Sequence, residues 1–359
     1  MKVTIIGLGL IGGSIAKALK SRTKGSIIYA VDNNKDSIMA ALLGGAIDKG
    51  CDKWLPDMDL SDIVIICTPV GVAKQWLSDI RKKVNINCII TDVGSTKEEI
   101  TSFAESLEGD FCFIGAHPMS GSEKSGYQAA SEGLFENTYY IITPTSKSNE
   151  NSIKRLADFA GRIGAIPVIM EAEKHDLAVA AVSHLPHILS AALINDVDEI
   201  DNKNHVLNLA AGGFRDVTRI ASSDPVMWKD ITFANSRHII EMMDLFIIKL
   251  TELKKNIQQD NKKWVEDFFE KAKQSRDTLP QKAVALMPRT YECTLDIPDR
   301  VGIIAEIATI LGSAGVNIKN LYVANSREFY GGVLVISLSS MADLNKAKIL
   351  LGENGFNIH

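Results

Sequence analysis

Six residues near the start of the chain restrict its fold more than any others: Gly7-Leu8-Gly9-Leu10-Ile11-Gly12, a GxGxxG pattern placed directly after the apolar run 3–6. Alone the pattern is weak, because glycines populate any tight turn. Here it closes a β-rich run and opens a helical stretch over 13–19, and that context gives it meaning. Gly7 permits the tight turn, Gly9 lets the backbone approach a pyrophosphate, and Gly12 lets the helix pack closely on the strand. The helix N-terminus, which starts at Leu10 and Ile11, offers unbonded N–H groups and partial positive charge to phosphates. Asp32 lies twenty residues beyond Gly12 at the end of the second β-rich run. Its carboxylate suits the adenosine ribose hydroxyls and would repel a 2′-phosphate. Asn33 and Asn34 follow, with no arginine to neutralise such a phosphate. A dinucleotide site for NAD rather than NADP is expected; the bland alternative is a glycine turn with a surface aspartate.

β-rich runs at 3–6, 27–31, 63–67, 88–92, 111–114, 140–143 and 167–170 alternate with helical stretches. Runs this continuously apolar, with helices between them, predict a parallel sheet covered on both faces. A Rossmann-type, doubly wound α/β domain is therefore expected over 1–167. From 168 to 286 the β-rich runs vanish and an all-helical domain is expected. Ile240, Met243, Ile247, Leu250 and Ile257 fall on one helical face. Such a stripe fits a homodimer interface, although packing within one chain would leave the same pattern. Trp264, Phe268 and Phe269 belong to a second amphipathic stretch that ends near 278–280, and 281–288 reads as a linker. Over 287–359 the order is strand (290–297), helix (301–314), strand (316–323), strand (332–338), helix (342–354) and a possible last strand (356–359). That is the ferredoxin-like βαββαβ unit.

Composition narrows the function. The net charge is −5 and no block of Lys or Arg stands out, so there is no electrostatic footprint for nucleic acid. No unbroken apolar run approaches the roughly 18 residues of a membrane span. Glycines break the N-terminal apolar run and no small-residue cleavage site follows it, which argues against a signal peptide. The five cysteines form no CxxC pair, which predicts reduced thiols, a cytoplasmic location and no metal centre.

Three later clusters carry groups that handle protons and anions. Residues 115–126 (GAHPMSGSEKSG) follow a β-rich run, so His117 should sit in a loop at the carboxyl edge of the sheet, where doubly wound folds bind ligands. The ordinary pKa of an imidazole, near 6.5, suits a proton acceptor at neutral pH, but a core histidine would look the same. His184-Leu185-Pro186-His187 places two histidines on one helical face; no third ligand of matching spacing supports a metal. In Gly212-Gly213-Phe214-Arg215-Asp216-Val217-Thr218-Arg219 the two arginines are four apart. They form either a clamp for a dicarboxylate or a solvated basic face.

In order and spacing, the glycine fingerprint, the Asp92-Val93-Gly94-Ser95 turn, GAHPMSGSEKSG, SHLPH and GGFRDVTRIASSDPVMW resemble the prephenate/arogenate dehydrogenase family over residues 1 to about 285. The resemblance implies oxidative decarboxylation of prephenate to 4-hydroxyphenylpyruvate with NAD and without a metal. It implies that His117 accepts the proton of the ring C4 hydroxyl and that Ser95 is its partner. It places His187, Glu123 and Gly212 in the substrate pocket, makes Arg219 the main partner of the side-chain carboxylate, and puts Arg215 where some relatives have lysine. Arogenate, with an amino group in place of the keto group, is the rival substrate. A β-hydroxyacid dehydrogenase would not explain SHLPH or GGFRDVTRIA, and a non-catalytic amino-acid sensor would be expected to have lost His117 or Arg219. With the first strand starting at residue 2, no fused chorismate mutase is expected upstream.

Residues 289–359 resemble an ACT domain through Asp299-Arg300-Val301-Gly302 and Gly315-Val316-Asn317-Ile318, with Val301 where many relatives have proline. The resemblance implies an amino-acid effector, tyrosine or phenylalanine, held by Asp299, Gly302 and Asn317. A domain that serves only assembly is the alternative.

Overall fold

A computed structural model describes residues 1–121, 124–201, 206–278, 291–298, 300–324, 332–338 and 340–358. The chain forms two compact units, Met1–Thr278 and Leu279–His359.

The first unit begins with β1 (Lys2–Ile6), α1 (Leu10–Arg22), β2 (Ile27–Val31), α2 (Lys35–Leu43), β3 (Lys49–Cys51), β4 (Ile63–Ile66), α3 (Val70–Ile80), β5 (Ile89–Asp92), α4 (Glu98–Ser106), β6 (Cys112–Pro118), β7 (Tyr139–Pro144), α5 (Glu150–Arg162) and β8 (Ile166–Ile169). The strands form one sheet in the order β3-β2-β1-β4-β5-β6-β7-β8. β1 lies between β2 and β4, so the chain leaves it in both directions. That switch point opens a crevice beyond the carboxyl ends of the strands. Every residue of β4 and β5 is buried, because the sheet is covered on both sides. On one face Ile15 and Leu19 of α1 join Leu156 and Phe159 of α5; on the other, Leu77 and Ile80 of α3 join Ile100 and Ala104 of α4.

Two expectations need correction here. The sheet is not wholly parallel: β7 runs antiparallel to β6. A parallel neighbour needs a crossover across the sheet face, and the described part of the β6–β7 connection holds only a 3₁₀ turn, Tyr127–Ala129. β3 is also an added strand. Its three residues are half-buried and include Gly50, so they leave no apolar run to read.

The helical part comprises α6 (Ala172–Val179), a π-helical turn (Ala180–His184), α7 (Leu185–Asp201), α8 (Gly212–Thr218), α9 (Pro225–Ala234), α10 (Ser236–Gln258) and α11 (Lys262–Asp277). Pro186 lacks the N–H that an α-helix would donate four residues back, and the wider π turn lies directly before it. The stretch Ala172–Ile200 is long and apolar enough, by length and composition, to cross a membrane. This differs from the sequence expectation, because His184, Pro186 and His187 break the run that an unbroken count looks for. On α10 the apolar stripe is open to solvent in the single chain: Ile240, Ile247, Leu250 and Ile257 are 48–60% exposed. On α11 Trp264 stacks on Phe268 at 5.6 Å.

The second unit contains β9 (Tyr291–Ile297), α12 (Ile303–Ser313), β10 (Ile318–Ala324), β11 (Gly332–Leu338) and α13 (Met341–Glu353). Its antiparallel sheet has the order β10-β11-β9. Among the described residues, the last strand of the expected βαββαβ order is reduced to one bridge, Leu295 to Ile358, on the edge of β9 away from β11. Ile307 and Leu311 of α12 and Ala347 and Leu351 of α13 pack on Leu295, Leu334 and Ile336. The expected linker at 281–288 lies outside the described residues.

Candidate active site

At the nucleotide end, backbone geometry demands the glycines. Gly7 has φ +98°, and a Cβ there would lie 2.6 Å from the Cys67 carbonyl; a Cβ on Gly12 would lie 2.0 Å from the Gly7 carbonyl. Neither position accepts a side chain. Gly9 meets nothing within 4 Å and forms the N-cap of α1 without a side-chain cap. The first N–H groups of the helix, at Leu10 and Ile11, are therefore open to an anion. Asp32 follows β2, and its carboxylate accepts hydrogen bonds from Leu8 N (2.5 Å) and Asn34 N (2.7 Å). Asn34 in turn caps α2 through Asp36 N and Ser37 N. One carboxylate thus holds the fingerprint loop and its own turn, with lone pairs left for a diol. Three features fit a dinucleotide: an open loop, an uncapped helix start and a carboxylate at the strand end.

The other end of the crevice is a hydrogen-bonded cluster. His117 stands on β6 itself, paired with Ile141 of β7, not in a loop as expected. The antiparallel ladder carries the strand on to Pro118, whose missing N–H suits a strand end. Its Nδ1 lies 2.8 Å from His175 Nε2 on α6, and His175 Nδ1 lies 2.7 Å from Asp176 Oδ1. The Asp176 carboxylate also accepts Lys97 N (2.7 Å) and Glu98 N (2.8 Å) at the start of α4. Asn235 Nδ2 reaches the Asp176 carbonyl (2.8 Å) and His184 Nδ1 (3.1 Å). Beneath the cluster lies a buried ion pair, Lys97 with Asp92; Asp92 also accepts Gly94 N at 2.9 Å and Ala116 N at 3.2 Å. Ser95 is half-buried in the segment that joins β5, the neighbour of β6 in the sheet, to α4.

The electrostatics favour neutral imidazoles. Burial, then His175, Lys97 and His184, hold His117 well below the ordinary histidine pKa. Burial pushes His184 down to about 4. His187 is lowered by burial and by the nearby Arg219 charge, while its Nδ1–H donates to the Ser183 carbonyl at 2.9 Å. Its ring stacks on Trp228 at 3.9 Å, and His184 meets the same indole edge-on at 5.9 Å. Arg219 opens a 3₁₀ turn directly after α8 and is exposed, as are Gly212 and Arg215 on α8. The structure thus brings Arg219 to His187, and His117 into the His175–Asp176–His184 cluster. Glu123 lies outside the described residues. Among those residues no group of three His, Cys, Asp or Glu side chains is arranged to hold a metal.

Sequence reasoning missed Lys97, His175, Asp176, Trp228 and Asn235. His175 is separated from His117 by 58 residues and Asn235 from Asp176 by 59, so no local spacing links them. Lys97, five residues past Asp92, lay within reach of a motif, and Trp228 closes the GGFRDVTRIASSDPVMW stretch, whose resemblance gave the indole no role.

The comparisons with known proteins agree with this geometry. The family described as "Prephenate dehydrogenase, nucleotide-binding domain" matches residues 15–169, and "Prephenate dehydrogenase, dimerization domain" matches 171–274. A prephenate dehydrogenase from Bacillus subtilis is 37% identical over 97% of this chain and 95% of that protein. The crystal structure of prephenate dehydrogenase from A. aeolicus, in complex with hydroxyphenyl propionate and NAD⁺, is similar at 30% identity and TM-score 0.72, covering 77% of this chain and 97% of that one. The Synechocystis arogenate dehydrogenase structure is similar at 29% identity and TM-score 0.68, covering 77% and 99%. An open glycine fingerprint, an aspartate at the end of β2 and these matches have one common explanation: the chain belongs to the prephenate dehydrogenase family, as an NAD-dependent oxidoreductase.

Proposed function

We propose that the chain oxidatively decarboxylates prephenate to 4-hydroxyphenylpyruvate, the keto precursor of tyrosine. The observation that carries the reading is His117, held neutral on β6 inside a hydrogen-bonded cluster. A neutral imidazole accepts a proton from the ring C4 hydroxyl, and in this reading Ser95 orients that hydroxyl. Arg219 and His187 meet the side-chain carboxylate, where guanidinium geometry suits carboxylate oxygens; Gly212 and Arg215 belong to the same rim. Bound at the glycine edge, NAD supplies the acceptor for the C4 hydride. Loss of the ring carboxylate as CO₂ then yields the aromatic product. What this chain contributes is alignment, a proton acceptor and a fixed positive charge.

Prephenate is preferred over arogenate in this reading because the Bacillus relative, matched over nearly its whole length, is named a prephenate dehydrogenase. The Synechocystis neighbour keeps arogenate as the second reading. NADH formation with each substrate decides: a chain that turns over arogenate alone has been given the wrong substrate. The exposed stripe of α10 and the match to a dimerization domain support a homodimer, which light scattering checks. Five free cysteines accord with a cytoplasmic enzyme.

Residues 287–359, within the C-terminal unit, read as an ACT domain that binds tyrosine or phenylalanine. Two features support this. Gly302 takes φ +88° as the N-cap of α12, a backbone that favours glycine, and Asn317 is exposed just before β10. Asp299 lies outside the described residues. A chain ending at Met287 should keep turnover and lose its response to the amino acid. Inhibition purely competitive with prephenate, and unchanged by that truncation, would refute the regulatory role.

A further inference from the structure

We infer that His175 and Asp176 are positioning residues that fix the tautomer of His117, leaving its Nε2 as a lone-pair acceptor and giving the accepted proton's charge a path to a buried carboxylate. The inference rests on the reading of His117 as the proton acceptor.

The chain of donors starts at Asp176. Its carboxylate receives the N–H groups of Lys97 and Glu98 and is completely buried. With two backbone N–H groups aimed at it, this carboxylate acts as an acceptor, and an ionised carboxylate only accepts. His175 Nδ1, at 2.7 Å, must therefore be the donor. In the neutral imidazole the other nitrogen then carries the lone pair. His175 Nε2 accepts, so His117 Nδ1, at 2.8 Å, donates. The only ring nitrogen of His117 left to accept is Nε2.

The same chain handles charge. When Nε2 takes the substrate's hydroxyl proton, the Nδ1 proton can pass to His175 Nε2. Neutral His117 is restored in its other tautomer, and the imidazolium rests on His175 against Asp176. One proton enters and one moves; no bond to carbon is involved. Without His175 the developing charge would sit on His117, beside the Lys97 ammonium that opposes it. The other groups around this cluster are Asp92, which pairs with Lys97, and His184, which Asn235 ties to Asp176.

The test compares the full chain with His175→Phe, His175→Gln and His117→Asn, using prephenate and NAD⁺. His175→Phe should lower kcat roughly 10- to 100-fold, the usual scale for a group that orients a reacting one, with both KM values little changed. His175→Gln, whose Oε1 can accept from His117 Nδ1–H, should recover most of that loss. ¹⁵N shifts of labelled histidine should show His117 protonated at Nδ1 in the unmodified chain and in the Gln variant, and at Nε2 in the Phe variant. If the Phe variant fails to fold, the tautomer of the unmodified chain and the kcat of the Gln variant still decide. An unmodified His117 protonated at Nε2, full turnover in a folded Phe variant, or equal losses in the Phe and Gln variants would each overturn the inference. Near-normal turnover in His117→Asn would instead remove the acceptor reading beneath it, and only that variant reports on it.

Discussion

The nucleotide end of the site is made from two short stretches, residues 7–12 and Asp32, that flank one pair of neighbouring strands. The proton-handling end draws Asp92 from the end of β5, Lys97 from the segment before α4, His117 from β6, His175 and Asp176 from α6, His184 from a π turn and Asn235 from the junction of α9 and α10. The first end is a backbone device. Gly7 and Gly12 are required because a Cβ would strike a carbonyl oxygen, that of Cys67 for Gly7 and that of Gly7 for Gly12. The second end is a side-chain device, in which each member has its state set by a partner far away in sequence. A change at the first end should therefore act on cofactor choice and leave proton chemistry intact; a change at the second should do the reverse.

The largest effect tests that division directly. His117→Asn should lower kcat by roughly 10²- to 10⁴-fold, the range for a positioned acid–base group, with NAD⁺ binding unchanged by fluorescence titration. Comparable weakening of NAD⁺ binding would break the division.

Next comes Lys97→Met, which strands Asp92 in a fully buried position. Removing one partner of a buried ion pair costs about 3–5 kcal/mol, readable in urea melts. A variant as stable as the unmodified chain would mean that the pair is not a strut beneath the cluster.

The third effect is a pH dependence. His184 stays neutral in the folded chain down to about 4, against 6.5 for the unperturbed group. The unfolded chain binds that proton first, so stability is complete above about pH 6.5 and declines as pH falls toward 4. The span is worth about 3 kcal/mol for this residue. His184→Gln should lose less stability than the unmodified chain between pH 7.5 and 4.5; equal losses would contradict the assignment.

Arg219→Ala removes a charge-assisted partner worth about 1.5–3 kcal/mol, so KM for prephenate should rise roughly 10- to 100-fold. If only NAD⁺ affinity changed, Arg219 would belong to the other end.

The smallest effect sharpens the nucleotide end. Asp32→Asn keeps an acceptor for Leu8 N but loses the charge, and the preference for NAD⁺ over NADP⁺ should shrink by about tenfold. An unmodified chain using both cofactors equally would remove Asp32 from the selection.

Much of the fold was legible because it rests on local pattern. Continuous apolar runs become buried strands wherever both faces of a sheet are covered, and β1, β2, β4 and β5 follow that rule. Gly7, Gly12 and Asp32 were readable because a strand–turn–helix of fixed length needs them in fixed order. β3 escaped notice because three half-buried residues carry no pattern, and the direction of β7 because it depends on how its connection returns.

By itself the sequence determined the cofactor edge, the helical character expected over 168–286 and present in the described residues from Ala172 to Asp277, and the residues of the resemblance. Only the tertiary structure decided which nitrogen of His117 is free, since that follows from a chain of hydrogen bonds ending at Asp176 on another element. The positive φ of Gly7 and the close approach of Gly12 to Gly7 act over a few residues and are written into adjacent letters. The protonation of an imidazole depends on burial and on partners that the fold gathers from 58 or more residues away, and nothing in local spacing records them.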